Sequence, residues 1–209
     1  MASVHGMVGI AIVALGLVVT PGPNMIYLLS RTIVQGRRAG LVSLLGVAVG
    51  FFIYLTLVAL GVAAVLTLVP ALYLVIKIAG AAYLLYLAWK AVRPGGESAF
   101  APKPLPPDRP LRLFTMGLVT NLLNPKIAVL YLSLLPQFVD PHRGHIAEQS
   151  LSLGLVQIGV ALTVNAAIVL SASAVSRFLT NRPAWLRAQR YVMGTVLAGL
   201  AVRIATDPR

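Results

Sequence analysis

Two stretches of the sequence place prolines and polar side chains inside long apolar runs. The first is TPGPN at residues 20–24, and the second is NPK at residues 124–126. Proline has no backbone N–H and clashes with the preceding helical turn, so each stretch predicts a broken helix. A helix that restarts after a break exposes backbone N–H groups and the positive end of its dipole, which favour an anion. The two stretches therefore predict an anion-binding site, with uncharged hydrogen-bonding groups around it. The candidate binding residues are Thr20, Pro21, Gly22, Pro23, Asn24, Tyr27, Asn121, Asn124, Pro125, Lys126 and Tyr131.

Lys126 has the most specific chemistry of this set. A cation in the middle of an apolar segment is costly and usually has a partner. All five acidic residues fall in predicted loops or at segment ends, and Asp140 is about 21 Å of helix away. Three alternatives follow: Lys126 is neutral in one state, binds backbone carbonyls, or pairs with a bound anion. A buried lysine that releases its proton would also carry protons, so Lys126 and Asp140 are the candidates for proton coupling. A purely structural role, with prolines that only kink their helices, is the competing interpretation.

The composition places these stretches in a membrane. The chain is 58% hydrophobic and only 11% charged, with a mean hydropathy of +0.89, which is typical of a membrane protein and not of a soluble domain. There is no cysteine, so disulfides, thiolate metal sites and dithiol redox chemistry are excluded. A bilayer core needs about 20 apolar residues for each helix, because an open sheet cannot satisfy its edges in lipid. Six segments approach that length: 5–30, 41–69, 71–92, 113–138, 151–176 and 189–205.

The distribution of Lys and Arg predicts the orientation of these segments. Twelve of the 17 basic residues lie in the predicted 1–2, 3–4 and 5–6 loops or at the segment ends next to them, and basic loops stay on the cytoplasmic side. Both termini are therefore predicted outside the cytoplasm. The net charge of +12 is explained by this topology, and we expect no nucleic acid partner.

A weak internal repeat relates the two halves. With an offset of 104 residues, Thr20-Pro21 aligns with Asn124-Pro125 and Tyr27 with Tyr131. Each half would hold three helices, so the halves would lie in opposite orientations, and inverted repeats with broken helices are typical of secondary transporters. The predicted fold is a single all-α membrane domain over 1–209, with halves at 1–93 and 113–209 joined by a cytoplasmic linker at 94–112.

Three stretches together resemble the LysE/RhtB family of amino-acid exporters, of the homoserine, threonine and leucine efflux type. They are TPGPNMIYLLSRTIVQGRRAGLVSLLGVAVG at 20–50, IKIAGAAYLLYLAWKAVR at 76–93 and FTMGLVTNLLNPKIAVLYLSLLPQFVDP at 114–141. The resemblance implies a multi-pass protein of the bacterial cytoplasmic membrane that exports amino acids or close derivatives, driven by protons as an antiporter. An amino-acid carboxylate then becomes the expected anion. No acidic residue lies inside a predicted span, which favours neutral over basic amino acids.

Other function classes are weaker. A passive pore for small solutes is the main alternative, because broken helices also build channel filters. No nucleophile–base set indicates an intramembrane enzyme, and no cluster of His, Cys or acidic residues indicates a metal exporter or a bound cofactor. Gly46 and Gly50 form a small-xxx-small patch, which would pack either within the chain or in a homodimer.

Overall fold

The computed structural model of the chain describes residues 2–20, 22–62 and 107–180, with single residues and pairs within 78–93 and 191–206. Every regular element in these parts is helical, which confirms the all-α prediction. The predicted segments 71–92 and 189–205 lie mostly outside the described residues, as do Pro21 and most of the 94–112 linker. The residues described within the two segments are helical, and three of them, Ala81, Ala88 and Ala201, belong to the hydrophobic core.

The first predicted span is two helices that meet at a bend. Helix α1 runs from Val4 to Val19, and α2 runs from Pro23 to Gln35, with an angle of 53° between them. Helix α2 begins at Pro23 because proline is favoured at the first helical position, where its missing N–H costs nothing. It ends at Gly36, whose φ of +87° is a conformation that glycine adopts without strain.

The next span is long and uninterrupted. Helix α3 runs from Arg37 to Leu57 and continues through a π-helical turn at Val58–Val62. Its Arg37–Leu60 part has a mean hydropathy of 2.5 over a membrane-length window. The helix therefore starts four residues before the predicted 41–69 segment, and residues 63–69 of that segment lie outside the described part.

The second broken pair repeats the pattern of the first. Helix α4 runs from Pro110 to Leu122, and α5 starts at Pro125 and ends at Val129. A π-helical turn at Leu130–Leu134 and a 3₁₀ turn at Leu135–Phe138 extend α5. The angle between the two halves is 51°, close to that of the first pair. Both predicted helix breaks are thus confirmed, while the inverted-repeat relation itself stays a prediction.

The last fully described span is one continuous helix. Helix α6 runs from Ile146 to Thr180, longer at both ends than the predicted 151–176 segment, after a short 3₁₀ turn at Pro141–Arg143. It packs against α1, α2 and α3. Up to four spans are therefore present in the described residues, if each bent pair crosses the membrane once.

The outward faces of these helices are apolar, as lipid contact requires. Large hydrophobic side chains are exposed along α1, α3 and α6, and a water-soluble monomer rarely exposes such continuous apolar surface. Several polar side chains of the spans instead face the interior, among them Thr20, Asn24, Asn121, Gln157 and Asn165. These buried polar residues position the candidate site at the centre of the bundle.

Glycines bring α3 and α4 into backbone contact. A methyl group on Gly46 would overlap the carbonyl oxygen of Phe114, and one on Gly117 would overlap the carbonyl oxygen of Ser43. Small residues allow this close approach between membrane helices. The Gly46 and Gly50 patch therefore packs within the chain, against α4.

We expect Gly46→Ala to lower the unfolding free energy of the detergent-purified protein by about 1–3 kcal/mol, because the backbones must separate. Thermal unfolding followed by circular dichroism measures this change. Gly159→Ala is the matched control, since a methyl group there meets nothing within 4 Å. A loss of stability in the control equal to that of Gly46→Ala would contradict the packing argument.

Candidate functional site

The two helix breaks meet at the side chain of Lys126. Its Nζ donates hydrogen bonds of 2.8 Å to the carbonyl oxygens of both Leu17 and Thr20, at the end of α1. The side chain is nearly enclosed, with 4% of the residue exposed. Gly22 lies against the ammonium group, since a Cβ atom there would be 2.8 Å from Nζ. Of the three alternatives for Lys126, this structure shows the bond to backbone carbonyls.

The chemistry of residue 21 explains why these carbonyls need a donor. In a continuous helix the Leu17 carbonyl accepts from the N–H of residue 21, but that residue is proline and has no N–H. A buried carbonyl without a donor is costly, most of all in a membrane. The Lys126 ammonium supplies the missing donor, and it lies at the negative end of the α1 dipole, which favours a cation.

The second break is satisfied by neighbouring side chains. The Asn124 side chain accepts from the backbone N–H of Lys126 at 3.1 Å and so caps α5. The Leu122 carbonyl accepts from the Tyr54 hydroxyl at 2.8 Å, replacing the Lys126 N–H that an unbroken helix would provide. The backbone around this break is therefore held from α3 as well as from α5.

Three buried asparagines keep polar atoms without a hydrogen-bond partner among the described residues. They are Asn24, through Oδ1; Asn124, through Nδ2; and Asn121, through both amide atoms. Asn24 is 7% exposed and Asn124 is 0% exposed. Buried polar side chains nearly always have partners, so these unpaired atoms are unusual and available to a ligand.

A small cavity lies between the breaks. Its volume is about 20 Å³, which is room for about one water molecule. One part of its wall is polar and the other is apolar. The lining residues are Ala14, Leu17, Val18, Asn24, Met25, Phe51, Asn124, Lys126, Ile127, Leu130, Gln157, Ala161 and Asn165. The sequence predicted a site with room for a solute between the breaks. This conformation has no such room, and the Lys126 bonds join α5 to the end of α1.

The model of the LysE type translocator family matches residues 15–208. The chain belongs to this family. It is 27% identical over 198 residues to the leucine efflux protein of Klebsiella pneumoniae subsp. pneumoniae, covering 92% of this chain and 91% of that protein. The leucine efflux protein of Salmonella typhimurium is also 27% identical, over 195 residues with the same coverage. No solved structure gives a significant match.

The translocator is a transporter and not an enzyme. Its candidate residues differ in whether they line the cavity. Asn24, Asn124 and Lys126 line the cavity together, with Thr20 and Gly22 in contact with the Lys126 ammonium. Pro23 and Pro125 begin the two restarting helices. Asn121 instead lies against Gly50, where a Cβ atom would be 2.6 Å from its Oδ1.

The two tyrosines of the repeat lie outside the cavity lining. The Tyr27 hydroxyl donates to the Leu113 carbonyl at 2.7 Å and accepts from Ser43 at 3.2 Å, which ties α2 to α3 and α4. The Tyr131 hydroxyl donates to Gln157 Oε1 at 2.6 Å, and its ring stacks on Tyr54 with centroids 5.3 Å apart. Tyr131 therefore acts on the cavity only by holding Gln157.

Asp140 is not brought to Lys126. It precedes the 3₁₀ turn after α5, where its carboxylate accepts from the His142 N–H at 3.0 Å and lies 3.5 Å from Arg143. Its side chain is 47% exposed. Of the two candidates for proton coupling, only Lys126 lines the cavity.

Two residues of the cavity wall come from α6 and were not among the candidate binding residues. Gln157 and Asn165 line the cavity from α6, and Gln157 also accepts an interhelical hydrogen bond from the Tyr131 hydroxyl. Asn165 donates to the Ala161 carbonyl in its own helix at 2.8 Å. Eight residues separate the two, which places them on one helix face, and this spacing is the signal that would have identified a cavity wall.

A second polar cluster, which sequence analysis missed, surrounds Asp108. Its carboxylate pairs with Arg31 and lies 3.2 Å from Arg112, and it accepts from Gln35 at 3.0 Å. Gln35 in turn accepts from the Asp108 N–H at 2.9 Å. The Gln35 hydrogen bond, with the charges of Arg31 and Arg112, lowers the pKa of Asp108 against the opposing effect of burial. The cluster ties the end of α2 to the start of α4.

We expect Asp108→Asn to lower the apparent melting temperature of the translocator at pH 7 by about 5–10 °C, because Arg31 loses its buried partner. A lowered pKa means that the carboxylate stabilises the fold above the pKa of the unfolded chain. That contribution disappears as the pH falls through the lower folded value. The difference between variant and wild type should therefore be constant from pH 7 to about pH 5 and shrink below about pH 4.

Melting curves of both proteins in detergent across this pH range measure the effect. Asp140→Asn is the control, because the Asp140 carboxylate is half-exposed. We expect this variant to have the same melting temperature as the wild type. A difference for Asp108→Asn that grows toward acid pH would contradict the assignment.

Proposed function

We propose that this translocator exports neutral amino acids from the cytoplasm across the inner membrane in exchange for protons, with leucine as the first substrate to test. The observation that carries the proposal is the cavity where the two breaks meet. It combines Lys126 and two asparagines that each keep one unpaired amide atom with an apolar wall. The names of the two relatives support leucine as the first choice.

The chemistry of the cavity supports a neutral substrate. The polar part can hold a carboxylate through the Lys126 ammonium, the Asn124 Nδ2 atom and the uncapped N–H groups at the start of α2. Phe51, Ile127 and Leu130 line the apolar part, which suits an aliphatic side chain. No carboxylate lines the cavity in the part of the chain that the structure describes, so a basic side chain would find no counter-charge.

Transport requires a second conformation. A volume of about 20 Å³ is far below what an amino acid needs, because it admits about one water molecule. We infer that α1 and α5 separate at the Lys126 bonds to open the site, as alternating access demands. An open cavity of about 370 Å³ lies beside Asp108 and Arg38, on the side that the basic loops predict as cytoplasmic, and we propose it as the entrance.

The orientation is part of the proposal, with both termini outside the cytoplasm and the 94–112 linker inside. The chain has no native cysteine, so a single Glu97→Cys substitution can be labelled without background. Labelling by a membrane-impermeant maleimide in everted vesicles, and its absence in intact cells, supports this orientation. The reverse pattern refutes it.

Proton coupling is assigned to Lys126. Within the described part of the chain it is the cation that lines the cavity, and a lysine can alternate between ammonium and amine where an arginine remains charged. Return of a proton through Lys126 would alternate with outward movement of the amino acid. The Asp140 alternative is not retained, because that side chain lies at the surface.

We expect wild-type protein in proteoliposomes to accumulate labelled leucine in response to an imposed pH gradient and to saturate with leucine concentration. We expect Lys126→Arg to lose this accumulation by at least about tenfold while it keeps leucine–leucine counterflow, because its charge remains but its proton does not leave. Arg143→Lys is the control, a conservative change at an exposed cation.

The outcomes separate the alternatives. Flux that does not saturate and ignores the pH gradient would identify a passive pore and overturn the proposal. Accumulation by Lys126→Arg at the wild-type level would keep the antiport and remove Lys126 from it. A thermal melt of each variant in detergent verifies that it is folded.

A further inference from the structure

The carbonyls that bind Lys126 form a site built for a primary ammonium group. Two oxygens, from Leu17 and Thr20, each lie 2.8 Å from one nitrogen. They belong to the C-terminal end of α1, where the helix dipole adds negative potential. Within the described residues, Asn24 Oδ1 is a buried acceptor without a partner that lines the same cavity. A primary ammonium has three N–H donors, so a ligand ammonium on the two carbonyls keeps a third donor, for which the unpaired Asn24 Oδ1 is the candidate acceptor.

We propose that this acceptor set is the binding site for the substrate's α-ammonium group, and that Lys126 occupies it as an internal surrogate while the transporter is empty. The inference rests on the proposed function and deepens it, because it defines which end of the substrate each polar group recognises. The substrate class becomes the free α-amino acid, with an unsubstituted amine as well as a carboxylate.

The exchange of one ammonium for another keeps the charge of the site constant. In the empty state the site holds one cation, Lys126. When a zwitterion enters, its ammonium takes the Leu17 and Thr20 carbonyls, and its carboxylate pairs with the released Lys126 ammonium. The net charge is +1 before and after this exchange, and Lys126 releases its proton only afterwards, in the step that the proposed antiport requires. Burial of an additional unpaired charge, which would be prohibitive in a membrane interior, is therefore avoided.

The carboxylate has its own donors once Lys126 moves. Asn124 lines the cavity, and its Nδ2 atom is buried and has no partner in the described part of the chain. Helix α2 starts at Pro23 without a side-chain cap, because its N-cap residue is Gly22. The N–H groups of Asn24 and Met25, which have no acceptor within the helix, can therefore bind an anion. The unpaired acceptor of Asn24 and the unpaired donor of Asn124 thus match the two ends of a zwitterion.

The same exchange explains why the site is closed when it is empty. Lys126 joins α5 to the end of α1 through the two carbonyls, and a competing ammonium replaces these bonds with charged ones of the same kind, without leaving the carbonyls unpaired. A carboxylic acid without an amine cannot do so. Opening is therefore linked to the substrate's amine.

A first experiment tests the ammonium site without transport. Lys126→Ala removes the surrogate, and the purified variant is melted in detergent with increasing ethylammonium chloride. We expect ethylammonium to raise the melting temperature of Lys126→Ala and not that of the wild type, where Lys126 fills the site. Tetramethylammonium, which has no N–H, should have no such effect. Equal effects of the two cations, or none from either, would overturn the proposal.

A second experiment uses the wild type, so that it decides the question even when Lys126→Ala does not fold. Competition with labelled leucine in proteoliposomes compares unlabelled leucine with N-acetylleucine and 4-methylpentanoate, which lack the free ammonium. We expect both analogues to compete at least about tenfold more weakly, because the charged hydrogen bonds are lost.

The two failures are distinguishable. Wild-type leucine transport inhibited equally by 4-methylpentanoate and by leucine would overturn the ammonium site and leave amino-acid export standing. Absence of any leucine transport, together with ethylammonium stabilisation of Lys126→Ala, would overturn the proposed substrate and leave the ammonium site standing.

Discussion

The structure depends on one constraint, which is that backbone carbonyls inside a membrane need donors. Residue 21 is a proline, so the Leu17 carbonyl at the end of α1 lacks the backbone N–H from which it would normally accept a hydrogen bond. The Lys126 ammonium, 109 residues further along the chain, provides that donor and also binds the Thr20 carbonyl. The burial of a charge and the presence of a broken helix, each costly alone, offset one another at this point. The position of α5 relative to α1 follows from this pair of bonds.

The surrounding elements hold the broken backbone in place and limit its freedom. The α3–α4 contact at Gly46 and Gly117 brings Tyr54 close enough to bond the Leu122 carbonyl at the second break. Tyr131 fixes Gln157 on the opposite wall. The two breaks themselves still have polar atoms without hydrogen-bond partners. Among the described residues, these atoms belong to Asn24 and Asn124. A site that exchanges Lys126 for a substrate requires both features: packed surrounding helices and unpaired polar atoms between them.

The sequence predicted much of the fold because its determinants are local. Pro23 and Pro125 each begin a helix at a predicted break, and the apolar runs located the start of α3 and both ends of α6 to within about five residues. The partner of Lys126 could not be chosen from the sequence, because a backbone carbonyl has no residue type that identifies it. The aligned tyrosines were expected to line the cavity, but Tyr27 and Tyr131 bond to other helices. Their side-chain directions depend on how the helices pack. The small volume of the cavity depends on the same packing and cannot be predicted from the amino-acid composition.

The measurement that most directly tests the contact between the two breaks is thiol cross-linking in native membranes. Val18 and Ile127 line the same cavity from α1 and α5, and the chain has no cysteine of its own. A short bifunctional thiol reagent should link Val18→Cys to Ile127→Cys within one chain, and it should fail for Ile12→Cys with Ile127→Cys, because Ile12 is exposed on the outer face of α1. Added leucine should lower the yield of the first link as the site opens. Absence of that link, or equal linking of both pairs, would show that the breaks do not meet.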